Sequence, residues 1–218
     1  MTASHETPGT TMPSIRAEDL DLYTLFLHLL AKPGPGPTPL VMDERTADIL
    51  AGVADCLGVD DFAGINAPDS IQEAESTYIS LFEVGMPAPP CPLNESPYNR
   101  SEPPTRIIHE NLLFYRAFGL ELKPGNRELP DHISNQLEFL SYLTRLLEQA
   151  PDAKSRMPIL AAKRDFIERH ALAWIPKASN KLAELGDPLF GPIFILLEAH
   201  LRRDLDLAGH LFGVPAVQ

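Results

Sequence analysis

The chain has 218 residues, of which 44% are hydrophobic and 22% are charged, a balance typical of a globular protein that buries a full core. Eighteen Lys and Arg residues against 30 Asp and Glu residues give a formal net charge of −12. That charge disfavours nucleic acid as a partner and favours a basic peptide, although solubility alone would account for most of it. No stretch is long enough to cross a bilayer and residues 1–11 lack a signal peptide, so we expect a cytoplasmic protein without membrane insertion.

The amino-terminal third of the chain predicts a tail followed by helices. Residues 1–17 are rich in Thr, Ser and Pro and predict a flexible tail before a single all-helical domain over 18–218. Residues 20–30 are apolar on nearly every side, which is typical of a buried helix. The Pro-Gly repeat at 33–39 cannot continue that helix. Asp43 is the expected cap of the next helix.

A third helix follows Ser70 and leads into a proline-rich segment. Tyr78 and Phe82 lie one turn apart on this helix, so both could be core residues, an interpretation we favour for Phe82. Tyr78 combines an apolar ring with a polar tip and suits the wall of a groove. The prolines of residues 86–104 impose a long irregular loop that either carries function or joins two lobes of a helical bundle.

The carboxyl-terminal half predicts further helices. An aromatic-rich helix covers 105–118, and an amphipathic helix runs from Asp131 to about residue 149. Another helix is predicted over 158–173, and Trp-Ile-Pro at 174–176 predicts a bend after it. Asp187 is the expected cap of the last helix. Because no alternating strand pattern occurs anywhere, the sequence predicts an all-α protein.

The amino end of the helix after Pro130 is the most distinctive polar site. Pro130 starts the helix, and the Asp131 carboxylate is placed to accept a hydrogen bond from the Ser134 N–H. For Asp131, capping alone would explain the residue type. For His132, spacing alone favours a hydrogen bond to a neighbouring loop over contact with a ligand.

These residues also form an ordered set of motifs that extends over roughly residues 18–210. Its components are Pro-Asp-His at 130–132 followed by Leu-Glu-Phe-Leu at 137–140, Tyr-Ile-Ser-Leu-Phe at 78–82 with Gly85, Glu-Ser-Pro-Tyr at 95–98, and Phe166, His170 and Trp174. This ordered set resembles the TorD/DmsD/NarJ family of cytoplasmic chaperones, which serve molybdenum enzymes of the dimethyl sulfoxide reductase superfamily.

The resemblance implies a TorD-like helical bundle that binds the catalytic subunit of a molybdenum enzyme in its apo form. Binding would use the subunit's twin-arginine leader or amino-terminal segment, and would assist cofactor insertion and assembly before export. The chaperone itself would hold no cofactor and would be a monomer, with a dimer as the alternative. The expected peptide-binding residues are Pro130, Asp131, His132, Tyr78, Phe82, Glu95, Ser96 and Tyr98. For Glu95 and Ser96 the alternative is a turn cap, and for His170 and Trp174 core packing is favoured.

Catalytic motifs are missing from the sequence. There is no phosphate-binding loop, no H-x-x-x-H pair and no G-x-S-x-G elbow, and Cys56 and Cys91 do not form a C-x-x-C motif. We therefore expect no catalytic site and no metal site. The alternative to leader recognition is a helical scaffold or assembly protein, and an enzyme would need a bound metal or cofactor.

Overall fold

A computed structural model describes residues 21–34, 36–123, 125 and 128–211, with the backbone alone for 209–211. The predicted tail of residues 1–17 lies outside these residues. Within them the chain is helical and forms a single isolated β-bridge, between Asn94 and His132, which confirms the all-α prediction. None of the helices in the described part combines the length and apolar character needed to span a membrane.

Several helices begin where a side chain accepts a hydrogen bond from the first free N–H groups, whereas those that start at Thr46, Pro104 and Leu172 have no side-chain cap. Asp21, Ser70 and Asp187 act in this way at three helix starts. The helices are α1 (Leu22–Leu29), α2 (Thr46–Leu57), α3 (Ile71–Tyr78), α4 (Pro104–Ala117), α5 (Ile133–Gln149), α6 (Ala153–Phe166), α7 (Leu172–Leu185) and α8 (Phe190–Leu211). A 3-10 turn covers Leu40–Met42, and π-helical turns cover Ile79–Glu83 and Ile167–Ala171.

The core is built around α8, which contacts α7, α2, α6 and α1. Its inward residues are completely buried because the helix has neighbours on several sides. α1 packs in turn along α5. One hydrophobic cluster joins these helices, and its fully buried members include Phe26, Leu50, Leu143, Trp174, Phe190, Ile193, Phe194, Leu197 and Leu201. A lobe boundary within 86–104 stays a prediction.

The cap predicted at Asp43 is wrong. α2 begins three residues later at Thr46, with Arg45 in the N-cap position. The Asp43 carboxylate instead accepts hydrogen bonds from the backbone nitrogen and the guanidinium of Arg45. A local Asp–Arg bond therefore competes successfully with the capping interaction.

The structure differs from the prediction at two prolines: the helix expected to start at Pro158 starts at Ala153, and the bend expected at residues 174–176 falls inside one continuous helix. α6 starts at Ala153, where Asp152 caps the Ser155 nitrogen, and it includes Pro158. Pro158 removes one backbone hydrogen bond near an exposed helix end, where water can satisfy the freed carbonyl. Pro176 lies inside α7, in its second turn, and follows the widened turn Ile167–Ala171.

Candidate peptide-binding site

The turn before α5 is tied to the proline-rich loop by Asp131. Its carboxylate is completely buried and accepts hydrogen bonds from the Ser96 backbone nitrogen at 3.0 Å and from Asn94 Nδ2 at 3.2 Å. The Asp131 carbonyl also accepts from the Glu95 N–H at 3.0 Å. Asp131 therefore orders the loop, and its expected role as the cap of α5 is wrong.

His132 is the residue that caps α5. Its Nδ1 accepts from the Ser134 backbone nitrogen at 3.3 Å, and its Nε2 lies 3.5 Å from a carboxylate oxygen of Glu128. Burial lowers the pKa of His132 below its usual value, and the negative charge of Glu128 opposes this shift only in part. The neutral ring is the form that can accept the capping bond.

Pro130 is held by its backbone carbonyl. This oxygen accepts a hydrogen bond from the Tyr115 hydroxyl at 2.7 Å, and the neighbouring Leu129 carbonyl accepts one from Asn135 Nδ2 at 2.7 Å. Pro130 is buried, whereas half of the Leu129 side chain is exposed to solvent. The turn thus presents Leu129 outward while α4 and α5 hold its carbonyls.

Glu95 lies at the centre of a second buried polar cluster. Its Oε2 accepts from Gln136 Nε2 at 2.8 Å, from Asn111 Nδ2 at 3.1 Å and from His170 Nδ1 at 3.1 Å. Gln136 in turn accepts at its Oε1 from Trp174 Nε1 at 2.9 Å. Glu95 is 1% exposed, so these groups take the place of the water that would bind its side chain at the surface.

Ser96 and Tyr98 follow Glu95 in the loop and lie nearer the surface than the buried cluster. Both are half-buried, and the Tyr98 ring packs 5.4 Å from the Trp174 ring, centroid to centroid. The Tyr98 hydroxyl donates to the buried Cys91 sulfur at 3.1 Å. Burial raises the pKa of both the Tyr98 phenol and the Cys91 thiol, so each keeps its proton. Tyr98, through the Trp174 ring, and Cys91, through the Ala178 carbonyl, link the loop to α7.

Tyr78 and Phe82 pack against the start of α8. Their rings lie 5.0 Å apart, and each also contacts Phe190 edge to face. Both are about 5% exposed, which confirms the core role favoured for Phe82. Burial raises the pKa of Tyr78, and the negative charges of Glu83 and Glu128 raise it further. The negative charges of two residues from distant parts of the sequence, Glu83 and Glu128, therefore both act on the Tyr78 hydroxyl.

The expected site residues are mostly internal and form two groups, Tyr78 with Phe82 against α8, and the others around the proline-rich loop and the turn before α5. Five are buried, namely Pro130, Asp131, Tyr78, Phe82 and Glu95, and three are half-buried, namely His132, Ser96 and Tyr98. Their contact with a peptide stays a prediction. Sequence reasoning missed Asn111, Tyr115 and Gln136, although each is a hydrogen-bonding residue within an otherwise apolar helix face, which is the signal that could have indicated a buried cluster.

A cleft of about 810 Å³ adjoins the first turn of α5 on its other side. We call it the α1–α5 cleft. Apolar side chains of both helices line it, together with the segment after α4, and charged residues of both signs stand among them. The lining includes Thr24, Leu27, Leu120, Leu122, Ser134, Asn135, Glu138, Tyr142 and Arg145.

The fold and the site define an all-helical protein in which the buried polar groups tie loops to helices. Among the described residues, no group of His, Cys, Asp and Glu side chains could hold a metal ion. The buried polar side chains instead order a surface formed by the proline-rich loop and the turn before α5. By its fold and site, this is an all-helical protein whose candidate binding surface is formed by a loop held against the helices.

Comparison with known proteins identifies the family. A model of the nitrate reductase delta subunit family matches residues 41–180, more than half of the chain. The chain is 34% identical over 134 residues to the selenate reductase assembly chaperone protein of Thauera selenatis, covering 59% of this chain and 69% of that protein. It is 34% identical over 142 residues to the perchlorate reductase assembly chaperone protein of Dechloromonas aromatica (strain RCB), covering 62% and 63%.

The protein belongs to the nitrate reductase delta subunit family. This confirms the resemblance found in the sequence, and the chaperone names of the relatives confirm the expectation of a chaperone and not an enzyme. A solved redox enzyme maturation protein from Archaeoglobus fulgidus also matches, with a TM-score of 0.41 and 21% identity over 85% of this chain and 91% of that chain.

Proposed function

We propose that this protein is a system-specific chaperone for the catalytic subunit of a molybdenum enzyme of the dimethyl sulfoxide reductase family. It binds the apo subunit in the cytoplasm and assists cofactor insertion and assembly before export. The observation that carries this proposal is the similarity to relatives named as assembly chaperones of selenate and perchlorate reductases. The family membership over residues 41–180 supports it.

The recognised element is the subunit's twin-arginine leader or amino-terminal segment. Glu83 and Glu128 are exposed carboxylates whose charges both act on Tyr78, and Leu129, next to Glu128 in the chain, offers exposed apolar surface. Lys32 pairs with Glu83 at 2.6 Å, so an arginine of the leader would compete with Lys32 for this carboxylate. A leader combines arginines with an apolar stretch, so its charge and its hydrophobicity both match this surface. Because the attraction is largely between exposed charges, binding weakens as the salt concentration rises.

One observation favours a second candidate function. Asp131 and Glu95, two residues expected to meet the peptide, are buried and hydrogen-bonded within the chain. Their side chains are therefore occupied unless the loop opens. This burial favours an assembly protein that holds a folded subunit through other surfaces, without recognition of a leader.

A pull-down from the native host, grown while it produces its molybdenum reductases, separates the proposal from unrelated functions. The parent chain should retain the catalytic subunit of one such reductase, with its cofactor site unfilled. Capture of partners that are all unrelated to molybdenum enzymes would overturn the proposed function.

Calorimetry then tests leader recognition. A synthetic peptide of the captured subunit's first 30 or so residues should bind with micromolar affinity or better. The double variant Glu83→Gln with Glu128→Gln should bind it more weakly, whereas Glu44→Gln, an exposed control, should not differ from the parent. If the peptide does not bind while the whole subunit does, the second candidate function is the correct one.

A further inference from the structure

An ion pair joins the chain after α1 to the turn that follows α3. Lys32 Nζ lies 2.6 Å from a carboxylate oxygen of Glu83, although the two residues are 51 positions apart in the sequence. Their side chains are 45% and 40% exposed, so both can be reached from solvent. Glu83 is also one of the two carboxylates proposed to attract the arginines of the leader. The free chaperone therefore already holds a cation of its own on this carboxylate.

Glu83 is the fixed member of the pair. It ends the π-helical turn Ile79–Glu83, and the next residue, Val84, donates its backbone N–H to the Ile79 carbonyl at 2.9 Å. The residue before it, Phe82, is 5% exposed and belongs to the hydrophobic core. The backbone that carries the carboxylate is thus held from both sides. A leader that reaches this surface meets the carboxylate in place.

Lys32 is the member that can leave. The residue after it, Pro33, is buried, so the backbone is held close to the lysine while its ammonium lies at the surface. Within the described residues, the hydrogen bond of this ammonium is the one to Glu83. Rotation of the flexible side chain alone would release the ammonium into water, and an exposed ion pair of this kind is weak. Displacement of Lys32 therefore needs no rearrangement of the fold.

An arginine suits a single carboxylate better than a lysine does. The guanidinium presents its N–H donors in a planar fork that matches both carboxylate oxygens, whereas the ammonium acts as a point charge. The Lys32 ammonium contacts one Glu83 oxygen, Oε2. A leader arginine would replace this contact by two parallel hydrogen bonds, so the exchange is favourable. A lysine in the same position would gain nothing by it.

We infer that Lys32 is an internal competitor of the leader, which occupies Glu83 in the free chaperone and is displaced by an arginine of the leader. The inference rests on the proposed function for the identity of the peptide, and it adds a residue that limits the affinity of that peptide. Because the Lys32–Glu83 pair must break before Glu83 can bind a ligand, a weakly basic segment gains little at this position. Lys32 thus sets a threshold against unrelated basic segments.

Calorimetry with the synthetic leader peptide tests the competition, through variants that change the pair in opposite directions. Lys32→Gln removes the competitor and should lower the Kd about 2- to 5-fold, the range expected from one exposed ion pair. Lys32→Arg keeps the net charge but can hold Glu83 with two bonds, and should raise the Kd about 2-fold or more. In a Glu83→Gln background, Lys32→Gln should leave the Kd unchanged, because no pair remains to be broken.

Lys181→Gln is the matched control for the loss of one positive charge. The Lys181 side chain is 43% exposed on α7 and forms an ion pair with Glu184 at 3.0 Å, so the change in net charge and in exposure is the same. Its Kd should match that of the parent. If Lys181→Gln lowers the Kd as much as Lys32→Gln does, net charge and not competition is the cause, and the inference is overturned.

The other outcomes separate this inference from the proposed function. Equal Kd values for the parent and Lys32→Gln would overturn the inference alone, and so would a Lys32→Arg protein that binds the leader as tightly as Lys32→Gln. If the whole subunit is captured but neither the parent nor Lys32→Gln binds the peptide, leader recognition fails and the inference fails with it. Capture of no reductase subunit by the parent would overturn the proposed function. Thermal unfolding of the single-lysine variants should match the parent, because both lysines are exposed.

Discussion

The carboxylate of Asp131 lies 3.0 Å from the backbone nitrogen of Ser96, although the two residues are 35 positions apart in the sequence. This bond fastens the proline-rich loop to the start of α5. A second bond runs in the opposite direction, because the Ile133 nitrogen of α5 donates to the Leu93 carbonyl of the loop at 2.9 Å. The turn that resembles the family signature therefore supports the proline-rich loop at residues 93–96.

Replacing Asp131 by alanine should lower the free energy of unfolding by about 1–3 kcal/mol, because the Ser96 N–H and the Asn94 amide would lose their acceptor in a buried site. Urea denaturation measures this change. Asp131→Asn keeps one acceptor oxygen and should lose less. Asp61→Ala, at an exposed position, serves as the control and should have an effect within about 0.5 kcal/mol. An Asp131→Ala protein as stable as the parent would contradict the supporting role.

Replacing Glu95 by alanine should cost about 3 kcal/mol of stability, since three donors would remain buried without their common acceptor. The loop should also become accessible, which hydrogen exchange at residues 91–98 would detect as faster exchange. Glu102→Gln is the matched control: its exposed ion pair with Arg106 contributes about 0–1 kcal/mol. Unchanged exchange in Glu95→Ala would show that the buried cluster does not hold the loop.

Stability should fall as the pH drops from about 6.5 toward 4, because burial lowers the pKa of His200 to about 4. The unfolded chain binds the proton at the higher pH, so acid favours unfolding by on the order of 2–3 kcal/mol through this residue. Urea denaturation at pH 7 and pH 4.5 measures the loss.

The variant His200→Gln cannot titrate and should lose less stability over the same interval. It should still lose the part of the stability that depends on His132, because burial also lowers the pKa of His132. Equal losses in variant and parent would remove His200 as a source of acid sensitivity.

Two glycines should respond to alanine in opposite directions. Gly85→Ala should destabilise the protein by about 1–3 kcal/mol, because the new Cβ would meet the Ala88 backbone. Gly52→Ala should stabilise it by about 0.5–1 kcal/mol, since this position lies inside α2 with nothing within 4 Å of the added atom. Differential scanning calorimetry measures both changes, and a shift of the same sign in both variants would contradict the steric argument.

Prediction from the sequence succeeded where local chemistry acts alone. Asp187 at the start of α8 and Gly58 at the end of α2, with φ of 69°, act where their residue types predict. Prediction failed where a distant partner competes. Asp131 has the chemistry of a cap, but the amide groups of a loop 35 residues away take its oxygens, and His132 caps α5 in its place.

The sequence by itself determined the all-helical class and the family, because helical periodicity, caps and an ordered set of motifs are all local or short-range signals. Only the tertiary structure decided which of the motif residues face inward. The burial of Glu95 and the exposure of Met86 both depend on the path of one loop across the bundle. That path is set by hydrogen bonds and packing between residues far apart in the chain, which no local pattern encodes.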